Sequence, residues 1–194
     1  QQFRKTVRAF AEKELAPHVE EWEHDELFPN WVFKRAGELG ILGAHFPEEH
    51  GGAGLDYWFS AAKAEELPHS KMAGVNMGLL VQSDMATPVI SDIGTKEQIE
   101  EFLKPALAGD KIASLGVSEP AAGSDVAGIL TTAKQDGGDW IINGSKTFIT
   151  NGTRADFVTM LVKTAPDRGA HGCSFFLVPT SLPGFNVAKK LKKI

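Results

Sequence analysis

Leu115-Gly116-Val117-Ser118-Glu119-Pro120-Ala121-Ala122-Gly123-Ser124-Asp125 begins as a strand and opens into a loop of small residues. Such a loop lets a flat or phosphorylated ligand come close to backbone N–H groups. Further on, Lys146-Thr147-Phe148-Ile149-Thr150-Asn151-Gly152 sets an aromatic ring and hydroxyls on what reads as a neighbouring strand. Taken singly, the first is also an ordinary turn and the second an ordinary hairpin.

Ahead of this stretch the period is helical. Phe3, Val7, Phe10 and Leu15 are spaced for an amphipathic helix that should stop near Pro17, and Trp31, Val32, Ala36 and Leu39 repeat the pattern up to Gly40. His45 to Leu55 reads as a loop, 57–67 as a third helix, and 73–92 as a fourth, apolar nearly all round and so expected to be buried. Thr95 and Gln98 predict a capping box for a fifth helix, which Gly109 ends. Beyond it the period falls to two. Strands are predicted at 112–117, 129–135, 139–143, 146–150, 156–163, 174–179 and 185–191, several parted by Gly- or Asn-containing turns. Helices first and strands afterwards predict an α+β chain of two domains, 1–110 helical and 111–194 a small antiparallel barrel or sandwich.

Composition narrows the function classes. A net charge of -5 argues against a nucleic-acid binder, and no apolar run reaches the roughly 18 residues of a membrane span. Lys189, Lys190, Lys192 and Lys193 alternate with Val187 and Leu191 and read as a strand's solvated face. Cys173 is single, so it forms no intramolecular disulfide and is expected to pack beside Phe175 as a small apolar side chain. Gly138 to Thr147 imitates a phosphate loop with the wrong spacing and reads as a hairpin. His45, Glu49 and His50 lack the helical spacing of a zinc site. The first residue is Gln rather than Met and the last lies in an apolar alternation, so we expect a piece of a longer protein.

Together the two opening segments resemble the signature of the acyl-CoA dehydrogenase family. That signature runs hydrophobic-x-Val-Thr/Ser-Glu-x-x-Ala-Gly-Ser-Asp and then Gly-x-Lys-x-Trp/Phe-Ile-Thr-Asn. The likeness extends to Arg8-Ala9-Phe10, Glu14-Leu15-Ala16-Pro17, Leu39-Gly40-Ile41-Leu42-Gly43, Pro47-Glu48-Glu49-His50-Gly51-Gly52 and Gly94-Thr95-Lys96-Glu97-Gln98. It implies an all-α N-terminal domain and an incomplete β-barrel middle domain, with the chain stopping before the C-terminal helical bundle.

The resemblance also implies α,β-dehydrogenation of an acyl-CoA by FAD, with electrons leaving through electron-transfer flavoprotein. Acyl-CoA oxidases, nitroalkane oxidases and a non-catalytic flavin-fold binding protein share the scaffold and stay open. Leu115, Gly116, Val117, Ser118, Glu119, Gly123 and Ser124 are implied to line the flavin, with backbone near Val117 and Ser118 at its pyrimidine end. Phe148, Ile149 and Thr150 are implied on the ring, the Thr150 hydroxyl near N5. Ser124 is implied to touch the CoA portion, and Val81 and Met85 are candidates for the acyl path, although both also read as plain core. The catalytic glutamate is implied to lie beyond Ile194, so these 194 residues alone are expected to be inactive. A dimer or tetramer in the bacterial cytoplasm or mitochondrial matrix is the expected setting.

Overall fold

The described chain, residues 1–192 of a computed structural model, falls into two units, Gln1–Ile112 and Ala113–Leu191. The first is helical. Helix α1 (Gln2–Ala9) continues through a π-turn (Phe10–Leu15) and a 3-10 turn (Ala16–His18) into α2 (Val19–His24). The predicted stop near Pro17 is therefore wrong. Proline lacks an N–H to donate and is tolerated where a helical turn begins; here it opens the 3-10 turn.

Helix α3 (Trp31–Glu38) ends as predicted at a left-handed Gly40, φ 69°. A 3-10 turn (Glu48–His50), α4 (Trp58–Glu66), α5 (Ala73–Leu80), α6 (Pro88–Ile93), α7 (Lys96–Gln98) and α8 (Lys104–Leu107) follow. Both bonds of the Thr95/Gln98 capping box are made, at 3.3 and 2.9 Å. The core gathers Val7, Phe10, Leu15, Trp22, Phe33, Leu42, Leu67 and Leu79. No helix among the described residues is long and apolar enough to cross a membrane.

The segment expected as one buried helix over 73–92 is three pieces, with a π-turn (Val81–Ala86) between α5 and α6. Its pattern is partly inverted: Gln82, Ser83 and Thr87 are fully buried, while Met77 and Met85 are each 49% exposed. Buried polar groups must be hydrogen-bonded. Gln82 Nε2 donates to Ala106 O (2.8 Å) and Lys111 O (2.9 Å), Thr87 Oγ1 to Gln82 O (2.6 Å), and Ser83 Oγ to Leu79 O (3.0 Å). The polar side chains inside thus take up backbone carbonyls around the π-turn.

In the second unit β4 (Phe157–Lys163) is the hub strand, with Phe157, Val158, Thr159, Leu161 and Val162 all buried. β5 (Cys173–Pro179) pairs antiparallel along its length, Phe157 opposite Pro179 and Lys163 opposite Cys173. The other edge is shared: β1 (Ala113–Gly116) runs parallel to 157–160, and Thr132 of β2 (Thr132–Asp136) meets Lys163. β3 (Asp139–Asn143) turns back on β2 as an antiparallel hairpin. The sheet is therefore mixed, and among the described residues its pairing is an open path. It curls enough for Trp140 of β3 and Phe176 of β5 to meet edge to face, ring centroids 5.4 Å apart. Cys173 packs against the cluster of Ala122, Ile129 and Leu161.

Two predicted strands do not form. Residues 146–150 are irregular, broken by the left-handed Phe148, and so the Gly138–Thr147 segment supplies only one strand of a hairpin. Residues 185–191 form no strand, and Val187 is 51% exposed. None of its apolar residues, Phe185, Val187, Ala188 and Leu191, is buried, so the segment gains too little to hold an extended edge. Lys189, Lys190 and Lys192 are solvated, while Lys193 lies outside the described residues.

Candidate functional site

β1 leaves the sheet at Gly116 into a tight turn over 119–122. Glu119 N–H donates to Ala122 O (2.8 Å) and Ala122 N–H to Glu119 O (3.2 Å). Ala122 anchors this turn in the core beside the half-buried Val117. Leu115 and Ser118 are also half-buried, and the chain then emerges, with Gly123 and Ser124 exposed. A Cβ built on Gly123 meets nothing within 4 Å, so packing within the chain gives no reason for glycine there.

The second segment runs alongside without joining the sheet. Thr147 N–H donates to Ser118 O (2.9 Å), and Asn151 Nδ2 donates to Ala113 O (3.2 Å). These bonds bring 147–151 against the exit of β1. Between them Phe148 takes φ 58° and Asn151 φ 64°. Left-handed backbone breaks the pleat, which is why alternation over 146–150 does not yield a strand. Asn tolerates this conformation, whereas a bulky ring resists it. Phe148 nevertheless adopts it and is 72% exposed. Ile149 and Thr150 are half-buried beside it.

Glu119 does not face outward with its neighbours. Its side chain is 4% exposed and that of Lys146 6%, and Lys146 Nζ donates to Glu119 Oε1 at 2.7 Å. Nζ also donates to Val117 O (2.9 Å), while Thr131 N–H reaches Oε1 (3.0 Å) and Leu130 N–H reaches Oε2 (2.6 Å). Burial opposes the carboxylate's charge, but the Lys146 ammonium and these backbone donors prevail and bring its pKa down to about 2. The sequence grouped Glu119 with the residues implied to line the flavin and took Lys146 only as part of a motif, whereas the structure turns the carboxylate inward onto Lys146. Opposite charges flanking the two halves of one signature were the signal for the pair.

In the helical unit Val81 is buried at 4% exposure and Met85 half-exposed, so Met85 is the one of the two with surface to offer. His45 Nδ1 bonds Ser60 Oγ and His50 Nδ1 bonds Ser91 Oγ, each at 2.8 Å, which ties the two imidazoles to different helices. A second buried pair escaped sequence reading altogether. Lys63, fully buried, holds Asp84 Oδ2 at 2.8 Å and Ser83 Oγ at 2.7 Å. Burial lowers its pKa against the raising effect of Asp84.

These features define a two-domain, helix-then-sheet protein with an accessible strand exit in its second unit. Residues 1–110 match the family model for the acyl-CoA dehydrogenase N-terminal domain, and residues 114–194 the model for the middle domain. The long-chain specific acyl-CoA dehydrogenase of Rattus norvegicus mitochondria is 42% identical over 194 residues, 99% of this chain and 45% of that protein. A solved structure of a probable acyl-CoA dehydrogenase from Mycobacterium abscessus superposes with TM-score 0.93 at 41% identity, covering 99% of this chain and 51% of that one. A glutaryl-CoA dehydrogenase from Mycobacterium smegmatis, solved in complex with FADH2, gives TM-score 0.90 at 36% identity, covering 100% and 48%. This chain belongs to the acyl-CoA dehydrogenase family, and it spans about half the length of the relatives it matches.

Proposed function

We propose that this chain forms the helical and middle parts of a flavin-dependent acyl-CoA dehydrogenase, an oxidoreductase acting on the α and β carbons of an acyl-CoA thioester. The observation that supports it most is Phe148. A bulky residue with φ 58° that is 72% exposed is unfavourable by about 1–3 kcal/mol, with little burial of its own to offset the cost. Such strain persists where a ring is held ready for a partner. A flat isoalloxazine is a chemically fitting one, and the glutaryl-CoA dehydrogenase relative was solved in complex with FADH2.

The residues present suit that group. Leu115, Gly116, Val117 and Ser118 offer strand-end backbone, Gly123 leaves room for close approach, and Ser118 and Thr150 carry hydroxyls. Ser118 would bond the pyrimidine end, Thr150 would lie toward N5, and Ile149 would flank the ring. When bound, the flavin supplies the hydride acceptor while the protein orients and polarises it. Ser124 would contact the CoA portion, and Met85 would face the acyl chain, with Val81 serving as core. Glu119 is locked by Lys146 and is no candidate base; the base would come from sequence outside these residues. Family membership further supports electron-transfer flavoprotein as acceptor, a dimer or tetramer, and a bacterial-cytoplasmic or mitochondrial-matrix setting.

The test is anaerobic mixing of the flavin-loaded full-length protein with saturated acyl-CoA esters of graded length. Flavin bleaching should follow, slowed about tenfold, or about 1.4 kcal/mol, by Ser118→Ala and by Thr150→Ala. No bleaching with any ester, or wild-type rates and flavin affinity in both variants, would sink the assignment.

A further inference from the structure

We propose that Glu119 and Lys146 are positioning residues, a buried ion pair that clamps the two flavin-facing segments together and balances the charge beside them. The inference rests on the flavin reading above. Four bonds converge on the pair: Lys146 to Glu119 and to Val117 O, and the backbone N–H groups of Leu130 and Thr131 to the carboxylate. They tie the exit of β1, the approach to β2 and the 146–150 segment at one point. With side chains 6% and 4% exposed, neither residue offers its charge to a ligand.

Stability alone does not account for charges at this place. A buried ion pair is commonly no more stabilising than apolar side chains of the same volume. What apolar side chains lack is the ability to hold named backbone groups. The ammonium grips the carbonyl of Val117, one residue before Ser118, while Thr147 N–H bonds Ser118 O. The spacing between Ser118 and the strained Phe148 is thus set by the pair. The pair is also neutral as a whole, so each charge cancels the other's field on a neighbouring group. Removing one partner exposes that group to the remaining charge, with opposite sign in the two cases.

The experiment uses the flavin-loaded full-length protein with Lys146→Met, Glu119→Gln, the double variant and Lys146→Arg. Flavin affinity by titration and midpoint potential by spectroelectrochemistry are read, with circular dichroism confirming the fold. Each single variant should bind flavin at least tenfold more weakly. Their potentials should move oppositely: Glu119→Gln upward, because a lone ammonium favours the electron-rich reduced ring, and Lys146→Met downward. A tenfold change in relative affinity for the two redox states corresponds to about 30 mV for a two-electron couple. The double variant should return toward the wild-type potential yet keep the weakened affinity. Should either single variant fail to fold, Lys146→Arg still decides: charge retained with altered geometry should lower affinity and leave the potential in place. Potentials that shift in one common direction, or unchanged affinity in Lys146→Arg, would overturn the inference alone. A wild-type full-length protein that takes up no flavin would instead overturn the flavin reading on which it stands.

Discussion

Lys63→Met removes one charge from the interior of the helical unit while nearly conserving side-chain volume. In the native chain Asp84 Oδ2 is held by the Lys63 ammonium at 2.8 Å and Asp84 Oδ1 is buried with no hydrogen-bond partner. Methionine would leave that carboxylate with Ser83 Oγ (2.8 Å) as the side-chain donor that the structure gives it. Breaking a buried pair by deleting one partner costs about 3–5 kcal/mol, and Asp84, with its side chain 16% exposed, puts the lower half of that range within reach. For a chain of this size a loss of about 3–4 kcal/mol corresponds to a melting point lower by roughly 6–16 °C. Urea unfolding of the full chain, followed by tryptophan fluorescence, reads it, since Trp22 is buried in the same unit. The double variant Lys63→Met/Asp84→Leu should recover most of the loss, because both charges leave together. A Lys63→Met protein within 1 kcal/mol of wild type would refute the reasoning, as would a double variant no better than the single one.

Gly109→Ala should destabilise by about 2–5 kcal/mol in the same assay, since it combines left-handed strain with overpacking. The backbone there has φ 73°, and an added Cβ would sit 2.1 Å from Phe33 O; an unchanged urea midpoint would contradict that close approach. Glu119 contributes to acid stability in a defined window. Its folded pKa, about 2, lies below the ordinary 4.5, so about 3 kcal/mol should be present above pH 4.5 and disappear as the pH falls toward 2. Glu119→Gln should flatten that part of the stability–pH curve, and an identical curve would show the carboxylate to be ordinary. Residues 1–194 purified alone should give no dye-coupled turnover with acyl-CoA esters and should shed FAD on gel filtration; reproducible turnover would place the base within this chain.

The fold was legible where periodicity and punctuation agreed. Thr95 with Gln98 marked a helix start, Gly40 a helix end, and Gly137-Gly138 the hairpin turn of β2 and β3. It was misread where a tertiary bond overrode local preference. Lys-Thr-Phe-Ile-Thr alternates like a strand, but Lys146 is drawn to Glu119 and Phe148 turns left-handed. Likewise 129–131 reads as strand, yet the N–H groups of Leu130 and Thr131 bond a carboxylate, and β2 begins only at Thr132. The parallel partnership of β1 and β4 leaves no mark on either sequence, because both strands are mostly apolar and carry no signal of strand direction. Of the candidate site, the residue types were readable in order. The burial of Lys63 was not, and the inward turn of Glu119 was marked only by the opposite charge in the other half of the signature, since burial of a charge depends on a partner distant in sequence.

The register that sets Ala113 opposite Phe157 has a consequence for the order in which the second unit assembles. The hairpins β2–β3 and β4–β5 close over short stretches, whereas β1 must wait for a partner strand far along the chain, and closing a longer loop costs more entropy. The hairpins should therefore form first and β1 dock afterwards, carrying Val117 and Ser118 with it. On a ribosome the same geometry means that the strand made first in this unit stays unpaired until β4 has emerged. Pulse-labelling hydrogen exchange during refolding should find the amides of 113–116 among the last protected, and their early protection would speak against this order. The strand exit proposed to meet the flavin would then be finished late in folding, after the sheet that supports it.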